Sequence, residues 1–286
     1  MSRTLTVSMT LLAMIAFASN SLLCRLAMQH TSIDSASFTT IRLLSGALML
    51  WLIVRMRDGM HSTAGSWPSA LALFAYAAGF SYAYVSLPAA TGALLLFGAV
   101  QATMIGYGLW SGERPGIRQS VGMVTAFCGL VALLLPGLSA PPLLGALLML
   151  GAGISWGVYS LRGKGAGDPG AVTAGNFLRT VPLAVALSLV ALPWLSLDRA
   201  GFGYAVASGA LASGVGYAIW YTALRGLKAT SAATVQLSVP IVTAVGGIVL
   251  LGEAITLRLL IASAAILGGI ALVILGRQGP GSPDTR

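Results

Sequence analysis

LWSGERPGIRQSVGMVTAFCGLVALL (residues 109–134) and LLGEAITLRLLIASAAILGGIALVIL (residues 250–275) carry one pattern written twice. Each runs from an apolar segment into Gly-Glu, then a short turn, then a Gly-containing apolar segment. At an offset of 140 residues Gly112 falls on Gly252, Glu113 on Glu253 and Gly129 on Gly269, and the match extends over 87–137 and 227–277. Earlier in each half the offset is 137, which places Arg25 on Arg162 and Arg42 on Arg179. The second half of the chain is therefore a copy of the first.

Both copies are strongly apolar. The 286 residues are 57% hydrophobic and only 8% charged, against about 25% charged in a soluble domain. A soluble protein of this composition would have nothing polar to place on its surface, so the chain is an all-α integral membrane protein with the lipid bilayer as its partner. A spanning helix needs roughly 20 apolar residues. Ten stretches meet that length: 5–28, 36–56, 67–86, 88–110, 117–135, 142–162, 171–193, 200–222, 229–251 and 257–276. Several prolines (Pro68, Pro88, Pro115, Pro141, Pro142, Pro169) stand at or just before span starts, where a missing amide hydrogen costs little.

The net charge of +9 does not indicate nucleic acid. The basic residues sit singly or in pairs between apolar runs, as topology determinants do, and form no phosphate-tracking stripe. With the N-terminus in the cytoplasm, Arg3, Arg55, Arg57, Arg114, Arg118, Arg162, Lys164, Arg225, Lys228, Arg277 and Arg286 fall on the inner face. Arg25, Arg42, Arg179, Arg199 and Arg258 lie at outer ends or within spans. Both termini are thus expected to be cytoplasmic. Five spans per copy make the second copy enter the membrane from the opposite side. The expected architecture is two inverted five-helix repeats around a central cavity, residues 1–138 and 139–278, with a disordered cytoplasmic tail at 279–286. Inverted repeats are a structural basis for alternating access, with the substrate site where the copies meet.

The ten spans and the paired Gly112-Glu113 and Gly252-Glu253 segments resemble the drug/metabolite transporter superfamily, in its EamA-type branch. The resemblance covers nearly the whole chain. "SNSLLCRLAM" in the first span (residues 19–28) and the overall length are similar to bacterial exporters of aromatic amino acids within it. The family often has a proline midway along helices 4 and 9. Here helix 9 has Pro240, and the matching position in helix 4 is Val100, which breaks the symmetry of any bend.

Polar and aromatic residues inside spans are the candidates for substrate binding: Asn20, Tyr82, Gln101, Trp156, Tyr159, Tyr217, Tyr221 and Gln236. An amide buried in lipid needs partners. Asn20 is either helix–helix glue or a cavity group, and Gln101 and Gln236 sit mid-span in the repeat-matched helices 4 and 9. Aromatic faces with a few hydrogen-bonding tips suit amphipathic organic solutes. Trp110 and Trp194 read as an interfacial belt. Arg42 reads as snorkelling to the outer end, and Arg179 as reaching the inner surface or the cavity. Glu113 and Glu253 read as turn caps paired with Arg114, Arg118 or Arg258. A gating role is the sharper reading for both, with Pro240 as a hinge. The small residues Ala205, Gly209 and Ser213, with Ser208, Ala212 and Gly216, permit close approach on helix 8. Helices 1, 3, 4, 6, 8 and 9 are expected to wall the cavity.

The absences narrow the function. No Asp or Glu stands mid-membrane in any of the ten spans, and ion-coupled carriers usually expose one. The expectation is uncoupled flux. No zinc-protease motif is present, and His30 and His61 fall between spans, so no enzyme activity, metal or cofactor is expected. Cys24 and Cys128 read as small apolar residues within spans rather than a disulfide. The residues and the resemblance together imply a monomeric carrier in the bacterial inner membrane, with no obligatory protein partner. It would export small metabolites, foremost aromatic and other neutral amino acids. The alternative cargoes are drugs, nucleosides or other small metabolites, with proton coupling.

Overall fold

A computed structural model describes residues 3–58, 64–112, 114–135, 140–163, 167–224, 226–227 and 235–276. Within them every regular element is helical: α1 (Arg3–His30), α2 (Ser35–Asp58), α3 (Trp67–Ala83), α4 (Ala89–Trp110), α5 (Ile117–Leu134), α6 (Leu143–Gly163), α7 (Pro169–Trp194), α8 (Arg199–Leu224), α9 (Ser238–Leu251) and α10 (Leu257–Gly276). Eight of these are long and apolar enough to cross a membrane. Large apolar side chains such as Leu144, Val249 and Leu257 face outward, as lipid-facing positions do, while backbone polar groups are satisfied within helices. The chain is a multi-pass membrane protein.

The two shorter helices differ from expectation for local reasons. α3 has 17 residues and ends at Ala83, where the Tyr84 N–H still bonds to Phe80 O. The chain must then extend before Pro88, because a proline disfavours helical backbone at the residue preceding it. α9 has 14 residues; the predicted start of this span, 229–234, and the predicted tail 279–286 lie outside the described residues.

Helix packing follows the repeat. α2 packs on α7, α5 on α10 and α4 on α9; the pairs α3·α6, α4·α6 and α2·α8 recur as α8·α1, α9·α1 and α7·α3. Exchanging each helix with the one five later thus returns these contacts. The α5–α10 seam is antiparallel. A Cβ on Gly122 would meet the Gly269 carbonyl, and one on Gly269 would meet the Gly122 carbonyl, the close backbone approach that small residues allow in lipid. The small residues of α8 work the same way. A Cβ at Gly209 would come within 2.1 Å of the Arg42 carbonyl oxygen. Residues Ala207–Val215 widen into a π-helical segment, a local form frequent at functional sites.

Two loops are tied by acids. Asp168 caps α7 through the Gly170 and Ala171 N–H groups and pairs with Arg57 of α2. Asp34 accepts from the Ser37 N–H (2.9 Å) and the Ser196 N–H (3.0 Å), joining the α1–α2 loop to the α7–α8 loop. Burial pushes the Asp34 carboxyl up, but its hydrogen bonds from Ser37, Ser196 and Ala36 outweigh this and hold it below the ordinary carboxylate value. Such a group stabilises the fold above its unfolded-state pKa, and that contribution is lost as pH falls through the folded-state value. The thermal midpoint of the purified protein should therefore drop on acidification through and below the ordinary aspartate range. Asp34→Asn should lower the neutral-pH midpoint and flatten that drop; an unchanged acid limb would remove the account.

Candidate functional site

A cavity of about 360 Å³ lies between the repeated halves. Seven helical segments wall it: α1 (Phe17, Asn20, Ser21), α3 (Tyr76, Phe80), α4 (Leu96 to Met104), α6 (Trp156 to Gly163), α7 (Pro169 to Asn176), α8 (Ala212 to Leu224) and the turn before α9 at Gln236. Helices 1, 3, 4, 6, 8 and 9 were expected there; α7 is an addition. The cavity runs toward the face carrying the α6–α7 joint, since Gly163, Pro169 and Leu224 end those helices on its rim.

Trp156 is the centre of the wall. Its ring lies 4.8 Å from Tyr76, 5.2 Å from Tyr159 and 5.5 Å from Tyr217, the last two stacked, and Tyr217 continues to Tyr221 at 6.2 Å. The spacing explains the cluster. Trp156 and Tyr159 are three apart on α6, and Tyr217 and Tyr221 are four apart on α8, so each pair shares one helix face.

Two polar networks edge this aromatic wall. Around α1, Asn20 Nδ2 donates to Tyr76 Oη (3.2 Å), Ser208 Oγ donates to Asn20 Oδ1 (2.5 Å), and Arg42 Nη2 donates to Tyr76 Oη (2.9 Å). Around α7, Tyr159 Oη donates to Thr173 Oγ1 (3.4 Å), Asn176 Nδ2 donates to Tyr159 Oη (3.4 Å), and Thr173 and Tyr221 share a bond of 2.8 Å. Asn20 is therefore both helix–helix glue and a lining group. No Asp, Glu, Lys or Arg is among the described residues lining the cavity.

Seven of the eight predicted binding residues line this cavity: Asn20, Gln101, Trp156, Tyr159, Tyr217, Tyr221 and Gln236. Tyr82 does not. It is 39% exposed on the outer side of α3, and Tyr76 and Phe80 of that helix take the inner face. Tyr76, Thr173 and Asn176 were missed. Tyr76 and Phe80 are four apart and on one face, a signal present in the sequence. Thr173 and Asn176 give none, because isolated polar residues in an apolar helix read equally as packing groups.

Arg42 also needs correction, and the structure places Arg179 and Pro240. Arg42 does not snorkel. It is 2% exposed and turned inward over the Tyr76 and Phe80 rings. Arg179 stays off the cavity and donates to the Ala64 and Gly175 carbonyls. Leu237 interrupts the helical run, so Pro240 falls in the first turn of α9, where it has no N–H to offer the Gln236 carbonyl. Its counterpart α4 runs unbroken through Val100. Cys128 is exposed on the outer surface rather than buried like Cys24.

Glu253 stands beyond the end of the cavity away from the α6–α7 rim, outside its lining. Gly252 has φ +64 and ends α9, a left-handed cap that glycine supplies without strain. The turn aims Glu253 at the start of α4, where its two carboxylate oxygens accept from the Ala89 N–H (3.1 and 2.8 Å). Its cationic partner is Arg25, at 3.1 Å, not Arg258. Arg25 Nη1 in turn donates to the Tyr84 and Val85 carbonyls (2.9 and 3.2 Å). One carboxylate thus joins α1, the α3–α4 joint and the α9–α10 joint. Glu113, the repeat mate, lies outside the described residues.

The fold and the repeat agree with the chain's matches to known proteins. Residues 4–135 and 143–275 each match the EamA-like transporter family. The chain belongs to the EamA-like transporter family. An uncharacterized Pseudomonas aeruginosa protein is 57% identical over 275 residues, covering 96% of both chains. The threonine/homoserine exporter RhtA of Escherichia coli K12 is 34% identical over 167 residues, which is 56% of this chain and 55% of that protein. A solved crystal structure with 20% identity superposes with a TM-score of 0.66 over 97% of this chain and 100% of its own, and shares the fold.

Proposed function

We propose that this EamA-family chain exports neutral amino acids, aromatic ones included, across the bacterial inner membrane by alternating access. The observation that carries the reading is the cavity itself: a stacked aromatic wall edged by amides and hydroxyls. Tryptophan, tyrosine and indole faces hold an apolar side chain by stacking, while Asn20, Gln101 and Gln236 meet the polar end. The partial similarity to threonine/homoserine exporters supports an amino-acid cargo.

In this reading the chain is two inverted five-helix units, 1–138 and 139–278, acting as a monomer. Support comes from helix contacts that survive exchange of the halves, and from the antiparallel course of α5 against α10. The positive-inside bias puts the α6–α7 face, and both termini, in the cytoplasm. The cavity is then open inward, and the Arg25–Glu253 pair is the closed outer gate, with Pro240 as the hinge of α9. The lining has no carboxylate among its described residues, which supports flux driven by the substrate gradient alone.

The test is counterflow into proteoliposomes. Labelled tryptophan, threonine and methionine should accumulate against trapped unlabelled substrate, saturably and equally with or without a proton gradient. Accumulation that needs the gradient would reject uncoupled transport; absence of flux for all three would reject the amino-acid cargo.

A further inference from the structure

The cavity has no charged lining residue among those described, yet a full positive charge stands one ring behind it. Arg42 is 2% exposed. Its guanidinium carbon lies 4.7 Å from the Phe80 ring centroid and 5.2 Å from that of Tyr76, and both rings line the cavity. A buried cation is costly unless it is compensated. The described ion pairs are Arg25–Glu253 and Arg57–Asp168; neither involves Arg42, and its Nη1 has no hydrogen-bond partner. Among the described residues, the cation is compensated only by two aromatic faces and one phenol oxygen.

That phenol is the second observation. Tyr76 Oη accepts from Arg42 Nη2 (2.9 Å) and from Asn20 Nδ2 (3.2 Å). With both lone pairs engaged, its own O–H can only donate, and no acceptor for it stands among the described residues. Tyr76 and Asn20 both line the cavity. A phenol that receives a hydrogen bond from a guanidinium is a stronger donor, because hydrogen bonds in a chain polarise one another. An anionic oxygen placed before it would meet a charge-assisted donor, and behind that donor a cation lacking a counter-charge.

We propose that the Tyr76 hydroxyl, polarised by Arg42, is the receptor for the carboxylate of the transported molecule, and that Arg42 acts as a positioning residue through it. The assignment deepens the amino-acid reading and rests on it for the cargo. It adds that the cargo is selected as a carboxylate. Amides and decarboxylated amines of the same shape are discriminated against.

The purified full chain distinguishes the two claims by competition binding with tryptophan, tryptophanamide, indole-3-propionate and indole-3-propionamide. Each acid should bind about tenfold or more tighter than its amide, the order of one charge-assisted hydrogen bond. Tyr76→Phe keeps the ring against Phe80 and Trp156, so it should fold. It should erase the acid preference while leaving amide affinity within about twofold, a selectivity change that mere packing damage does not produce. Arg42→Gln should do the same. Preference for indole-3-propionate over its amide without tryptophan binding would keep the carboxylate site and reject the amino-acid cargo. Equal binding of tryptophan and tryptophanamide, or an acid preference retained in Tyr76→Phe, would overturn the carboxylate site and leave the cargo standing. Binding of none of the four would overturn both.

Discussion

Tryptophan counterflow should weaken by about 30-fold in apparent affinity when Trp156 is replaced by alanine, a loss of about 2 kcal/mol. Trp156 touches three other rings of the wall, at 4.8 to 5.5 Å. Truncation removes a stacking face for the cargo and the surface that fixes Tyr76, Tyr159 and Tyr217. Trp156→Phe keeps a ring at that place and should retain most of the affinity. Threonine, with little apolar side chain to stack, should lose several-fold less than tryptophan in the alanine variant. That difference separates a lost binding face from general damage. Equal losses for both amino acids would mark Trp156 as a packing residue only, and unchanged tryptophan counterflow would remove it from the site.

Glu253→Gln should open the far end of the cavity. The carboxylate receives one cationic and two backbone contacts between 2.8 and 3.1 Å, with the Glu253 side chain only 12% exposed. A charge-assisted contact of this sort contributes about 1.5–3 kcal/mol, and the amide keeps its size but loses the charge. If the pair exists only while that end is closed, its loss should shift the open–closed equilibrium by about tenfold or more. Spin labels at Ser86→Cys and Ala254→Cys, with Cys24 and Cys128 replaced by serine, flank the contact on the α3–α4 and α9–α10 joints. The wild-type glutamate should give one short distance. The glutamine variant should add a population at longer distance, and Arg25→Gln should resemble it. An identical distribution in all three would show that the contact is a fixed cap on α4 with no part in gating.

Much of the cavity was legible in the sequence for a specific reason. In a membrane helix, polar and aromatic residues are rare and must face protein or water, so Asn20, Gln101, Trp156, Tyr159, Tyr217, Tyr221 and Gln236 announce themselves against an apolar background. Tyr82 and Tyr76 show where that logic fails. They lie six apart on α3, on different faces, and residue type alone does not say which face of a helix meets lipid. The π-helical widening of α8 had no sequence signal either, since the same Gly, Ala and Ser residues serve an ordinary close-packed helix.

By itself the sequence determined the membrane-embedded, all-helical character and the duplication. Apolar length and the offset of matched residues are properties of the chain alone. The role of Gly252 was determined locally too, because a left-handed turn at a helix end needs a residue without a Cβ. The tertiary structure alone decided the charges. Arg42 could have reached the membrane surface by its flexible stem, and Glu253 could have paired with Arg258 close by in sequence. Packing instead turned Arg42 onto Tyr76 and brought Arg25 to Glu253 across 228 residues. The reason is reach. A long side chain has many partners within range of its backbone, and only the arrangement of neighbouring helices selects which one it meets.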